Sequence, residues 1–164
     1  MGSKTNILVG VASITVTTIS GHPTGPVTVG YTADGAVLTV KSEFATVKAE
    51  EVNGPLKRVI TGQEVEVTLN MLEGTLDNLA MAIPGSSLAA AVLTIGGDVL
   101  SEYSMVLVGK NPAGFNRTVA LHHVNAVGEV GIPFKKGEAS VVPVTFSCLV
   151  HDAGDFGTIT DAAA

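Results

Sequence analysis

The stretch from Thr61 to Gly85 reads TGQEVEVTLNMLEGTLDNLAMAIPG, and it changes period in the middle. Val65, Val67 and Leu69 alternate with polar Glu64, Glu66 and Thr68, the two-residue period of a strand with one buried face. Leu72, Leu76, Leu79, Ala80 and Ile83 then recur at the spacing of one helix face. Asn70 stands at the N-cap position, with Glu73 three residues on as in a capping box. Pro84-Gly85 ends the element, because Pro cannot extend a helix and Gly tolerates the turn. The spacing predicts a strand running directly into one helix over about 71–83.

Outward from that unit the chain reads as strands and turns. Apolar Ile7 to Ala12 passes into alternating Ser13-Ile14-Thr15-Val16-Thr17, a first strand too short in its apolar part for a signal segment. A Gly- and Pro-rich loop follows at 21–26, and Val27 to Gly30 is a short strand. Ala33-Asp34-Gly35 carries the Asp-Gly hairpin signal before a strand at 36–40. Segment 41–60 mixes charges with isolated apolar residues around an Asn53-Gly54-Pro55 turn. It predicts a long, partly mobile hairpin arm, with an ordinary solvated loop as the alternative. Strands are expected at 89–95, 103–108, 118–127 and 140–150, with Pro143 at an edge or bulge. A turn is expected at Lys135-Lys136-Gly137, and the tail from His151 is loop and then a short strand. These elements predict a single domain over 1–164, mainly β, a sandwich or barrel-like sheet with one flanking helix.

Composition narrows the function classes. The 164 residues are 46% hydrophobic and 15% charged, with a net charge of −6. Mean hydropathy is +0.44, yet no apolar run approaches the ~18 residues of a membrane helix, so no membrane partner is expected. The apolar surplus predicts either a fully packed sheet or surface hidden in an assembly. The acidic balance argues against tight binding of nucleic acid, and the absence of Trp argues against a stacking platform.

The catalytic motifs fail on physical grounds. Gly109 to Gly114 resembles a phosphate loop, but Phe115 stands where the Lys must be. His122 and His123, adjacent in a strand, are expected on opposite faces and so unable to share a metal, although one of them could meet His151. Cys148 lies in an apolar strand, which predicts a buried structural thiol. Glu64 and Glu66 share a strand face without a pocket around them. No enzyme activity, cofactor or metal is expected.

The order Gly30-Tyr31-Thr32-Ala33-Asp34-Gly35-Ala36-Val37-Leu38, a charged arm, Gly54-Pro55, Ile60-Thr61-Gly62-Gln63-Glu64, and an alternating strand into Leu72-Glu73-Gly74-Thr75-Leu76 resembles bacteriophage tail tube (major tail) proteins. Gly131-Ile132-Pro133-Phe134 through Val142-Pro143-Val144-Thr145-Phe146 looks like that family's last hairpin, so the resemblance covers about 28–160. It implies a β-sandwich whose copies form stacked hexameric rings, a hollow virion tail tube made in the host cytoplasm and conducting DNA without specific binding. Implied partners are further copies, a tail-tip or baseplate initiator, a tape measure and a terminator. The helix would pack outside the lumen. The arm would reach a neighbouring subunit, with Lys41, Glu43, Lys48, Glu50, Glu51, Lys57 and Arg58 setting register. Glu64 and Glu66 would face the lumen. Two alternatives stand beside this: a non-enzymatic β-sandwich binding module, such as a decoration or baseplate piece, and the tube of a related injection machine.

Overall fold

A computed structural model describes residues 11–48, 53–134 and 140–162. The chain is mainly β with one short helix among the described residues, and most strands join one antiparallel sheet. Its strands are β1 (Val11–Ser20), β2 (Pro26–Thr28), β3 (Thr32–Lys48), β4 (Pro55–Met71), β7 (Glu102–Lys110), β8 (Asn116–Val127), β9 (Val142–Leu149) and β10 (Gly157–Asp161). The helix α1 (Leu76–Ala82) and a small hairpin, β5 (Ser87–Ala89) with β6 (Val92–Thr94), lie between β4 and β7. The sheet order is β2-β1-β7-β8-β9-β4-β3, with β10 also paired to β8.

The sheet curls so that its apolar face meets itself. Val65, Val67, Leu69 and Met71 of β4 share one buried cluster with Ile14 and Val16 of β1, Tyr103 and Met105 of β7, and Phe146 of β9. Tyr103 and Phe146 pack edge to face at 6.3 Å, the arrangement that brings a ring's positive edge to its neighbour's negative face. Leu38 of β3, Leu107 of β7 and Val119 of β8 line one open cleft of about 580 Å³, so the curl is not fully closed.

The alternation at 65–69 is a strand as expected, but it is the inner end of a 17-residue strand. The helix starts later than its period predicts. Thr75, not Asn70, is the N-cap, and its side chain accepts from the Asn78 amide. Asn70 and Met71 are instead drawn into β4 by pairing with Pro143 and Val142 of β9. Glu73 is not in a capping box; its carboxylate accepts from the Tyr31 amide at 3.1 Å. Gly30, at φ 78°, lies against that carboxylate, where a Cβ would collide with it.

Asp34-Gly35 does not turn the chain. Both residues have positive φ, 60° and 73°, and the register jumps from Ala33↔Asn70 to Ala36↔Leu69. The left-handed pair makes a bulge inside β3, where a hairpin signal costs no strand. The predicted strand at 89–95 folds back as the β5–β6 hairpin instead, reversing at Ala90, itself at φ 53°. Pro143 pairs only with β4, because the β8 pairing begins at Thr145; on its β8 side it stands at an open edge, where Pro is tolerated. The Ile7 to Gly10 part of the first strand and the Lys135-Lys136-Gly137 turn lie outside the described residues.

Candidate assembly surface

The expected arm is an ordered ribbon. β3 and β4 pair from Thr32↔Met71 out to Lys48↔Pro55, while β9 supports β4 only over Glu66 to Met71. Past Val65 the two strands have no other strand partner among the described residues. The mixed charges of this segment predict partial mobility; cross-strand pairing joins its described residues in a ladder with register shifts at Glu43/Phe44 and Val47/Lys48.

Burial falls away along the ribbon while its apolar pattern continues. Directly paired residues of an antiparallel ladder share a face. One face runs through Leu38↔Val67, Val40↔Val65, Ser42↔Gln63, Phe44↔Ile60 and Thr46↔Arg58. On β4, Val67 and Val65 are buried at its root whereas Ile60 is 55% exposed; on β3, Val40 is already 57% exposed opposite Val65, and Phe44 is 58% exposed. The other face carries exposed Val47 and Val59, and Leu56 is exposed near the tip. Each such side chain stands to gain about 1 kcal/mol on being covered, given its present half-exposure. A two-stranded ribbon is marginal by itself in water, so these residues stand to gain from a surface that the described residues do not supply.

The candidate charges divide into three groups. Lys41 stands at the root, where its Nζ lies 3.2 Å from Glu66 Oε2 and 3.9 Å from Glu64 Oε2. Glu64 and Glu66 are thus brought together with Lys41 on one outward face. Glu43 is opposite Gly62, and Lys48, Lys57 and Arg58 are exposed toward the tip. Glu50 and Glu51 lie outside the described residues.

The histidine expectation is corrected. His122 and His123 do not diverge: the His151 ring lies 4.9 Å from that of His122 and 5.4 Å from that of His123. The cause is a second bulge. Tyr103 pairs with Val124 but Met105 pairs with Leu121, so β8 spends one extra residue at His122-His123 and loses its alternation there. The same shift moves the buried parity from Leu121 to Val124 and Ala126.

Cys148 is buried, as expected, and burial pushes its thiol up to about 11, the opposite of what a nucleophile needs. Sequence reasoning passed over Asn78. It is buried on α1 and its side-chain amide donates to Val29 O at 3.1 Å and Glu73 O at 2.8 Å. Lone polar residues on a helix face carry no local signal of such a role. Tyr103 was placed only as a strand residue; its hydroxyl donates to His22 O at 2.6 Å, and burial raises it above the ordinary phenol value.

No protein-family model matches the chain, and no curated protein matches it. Among solved structures, the chain is similar to one in the anti-feeding prophage baseplate, determined by cryo-electron microscopy with six-fold symmetrisation. Identity is 11%, the TM-score is 0.41, and the match covers 92% of this chain and 89% of that one.

Proposed function

We propose that this chain is a non-enzymatic structural subunit that assembles with copies of itself into stacked hexameric rings, forming the tail tube of a bacteriophage. The observation that carries the reading is the β3–β4 ribbon, whose core-facing stripe continues past the body and is left bare at Phe44 and Ile60. A ribbon on one side of a subunit that is covered by a different surface of the next makes a heterologous contact, and such contacts close rings or extend into fibres by geometry alone. The order of sequence features shared with tail tube proteins supplies the architecture.

The charge balance suits a conduit. A net charge of −6 disfavours a grip on phosphates, and at physiological salt repulsion reaches only about 8 Å. On this reading Glu64 and Glu66 present acidic charge to the lumen, with Lys41 offsetting part of it. Lys48, Lys57 and Arg58 near the ribbon tip, with Glu43, Glu50 and Glu51, set register against the neighbouring copy.

Electron microscopy of the concentrated protein tests the proposal, together with a variant carrying Phe44→Asp and Ile60→Asp. The expected outcome is hollow tubes of uniform diameter from the natural chain. The double variant is expected to remain a folded monomer, with melting unchanged. Tubes of normal length from the double variant would overturn the ribbon's role. Closed small oligomers or monomers at all concentrations, even with an initiating tail-tip complex, would favour the binding-module reading instead.

A further inference from the structure

The bulge at His122-His123 sits where β9 leaves the flank of β8 and β10 takes its place. β9 pairs with β8 from His123 onward, and β10 pairs with it up to Leu121. The loop between them, 150–156, carries His151 and Asp155 back over the bulge, fixed by the His122 amide donating to Phe156 O at 3.1 Å. One atom there is left unsatisfied: Asp155 Oδ1 is shielded from solvent and accepts no hydrogen bond. Two imidazole nitrogens face it, His122 Nε2 at 3.8 Å and His151 Nδ1 at 3.9 Å. Both are just beyond hydrogen-bonding reach.

We propose that His122, His151 and Asp155 form a proton-operated clasp that fastens the C-terminal strand β10 to β8. The unprotonated arrangement is visible in His151. The Ala153 amide donates to its Nδ1 at 3.4 Å, which requires a lone pair on that nitrogen. A protonated Nδ1 cannot accept; it must give up Ala153 and donate, and Asp155 Oδ1 is the carboxylate oxygen facing it. His122 Nε2 approaches the same oxygen from β8. Proton uptake therefore supplies the missing partners and ties the loop preceding β10 directly to β8.

The surrounding charges set the balance. From β7, Glu102 Oε2 lies 3.8 Å from His123 Nδ1. His123 stacks on His151 at 24°, so charge on one ring opposes charge on the other. Glu102 offsets that opposition, and Asp152 adds a further carboxylate in the loop. Imidazoles are the side chains whose charge commonly changes between about pH 5 and 8, so that is the range over which the clasp is tested. The far end of β10 does not contribute there. Arg117 holds Asp161 through two hydrogen bonds of 2.6 and 2.7 Å, and those bonds keep the Asp161 carboxyl below its ordinary value. That pair's contribution is present above the ordinary carboxylate value and is lost only in stronger acid.

Amide hydrogen exchange of β10, corrected for the intrinsic chemical rate, tests the clasp at about pH 7.5 and pH 5.5 in the natural chain and in Asp155→Asn and His151→Gln variants. The natural chain is expected to protect β10 about threefold better at the lower pH, the scale of a partly exposed ion pair. Its Ala153 amide resonance should titrate in step. In both variants the pH difference should vanish while overall melting at neutral pH stays close to that of the natural chain. Equal protection at both pH values in the natural chain would overturn the proposal. So would an undiminished pH difference in Asp155→Asn.

Discussion

Val65 and Phe44 stand on the same face of the same two-stranded ribbon, yet Val65 is 6% exposed and Phe44 is 58% exposed. The pairing between β3 and β4 continues past both. What changes is the third partner. At Val65 the opposite wall of the curled sheet covers β4 while leaving its β3 partner Val40 57% exposed, and past it no described residue covers either strand. Alternation along a strand therefore records which face is to be buried, but not whether the burying surface belongs to the same chain.

The sharpest way to break this comparison uses one residue type in two places. Phe146 lies in the core at 0% exposure and packs against Tyr103. Phe146→Ala removes a fully enclosed ring and should cost the monomer about 4 kcal/mol. Phe44→Ala should change monomer stability by no more than about 0.5 kcal/mol, while weakening assembly. Urea unfolding of the two variants at assembly-suppressing dilution measures both. If Phe44→Ala destabilised the monomer as Phe146→Ala does, the ribbon would be packed on its own body and the contrast would collapse.

A smaller effect is expected where α1 meets the body. Asn78 is the buried polar side chain that links the helix to Val29 O and Glu73 O. Asn78→Ala leaves both carbonyls without that donor, at a cost of about 2 kcal/mol, read as a lower melting midpoint with the β-sheet signal otherwise intact. A cost near zero would mean that the helix is held by buried Ala80, Met81 and Ala82 and by the Ser86 hydroxyl donating to Ala80 O at 3.0 Å, without need of Asn78.

How much of this was legible follows from which forces are local. The strand through Val65, Val67 and Leu69 was readable because a long, regular alternation has one physical meaning. β7, β8 and β9 are legible as strands as well, and β10 only as a short strand after the loop that begins at His151. The helix start was misplaced because Asn70 satisfies the local rules for a cap, while Pro143 and Val142, far along the chain, claim Asn70 and Met71 for the sheet. Asp34-Gly35 supplies left-handed backbone equally well to a turn or to a bulge, and the choice depends on where β4 lies. The same ambiguity hid the histidine cluster: rigid alternation separates His122 from His123, and one extra residue in β8 brings both to His151. At the ribbon, the sequence shows the charges and the apolar residues, the latter only as isolated residues; that they line up as a bare stripe depends on register and burial. Which charges pair within the chain depends on register too.

The smallest expected effect lies at the boundary between the two regions. Lys41 sits where the ribbon leaves the body, and its ammonium reaches across the strands to Glu66 and Glu64. All three groups are partly or largely exposed, so solvent and salt screen the pair and Lys41→Met should shift monomer stability by less than about 0.5 kcal/mol. Assembly is a more sensitive reader of the same change. Without Lys41, the root of the ribbon presents two uncompensated carboxylates on one face. If that face looks into a lumen or at a neighbouring acidic surface, tube formation by Lys41→Met should need more salt than the natural chain needs, because screening then substitutes for the lost ammonium. Light scattering across a salt series measures it. An identical salt dependence would place Lys41, Glu64 and Glu66 away from every subunit contact, and would leave the apolar stripe alone as the feature that separates the ribbon from the body.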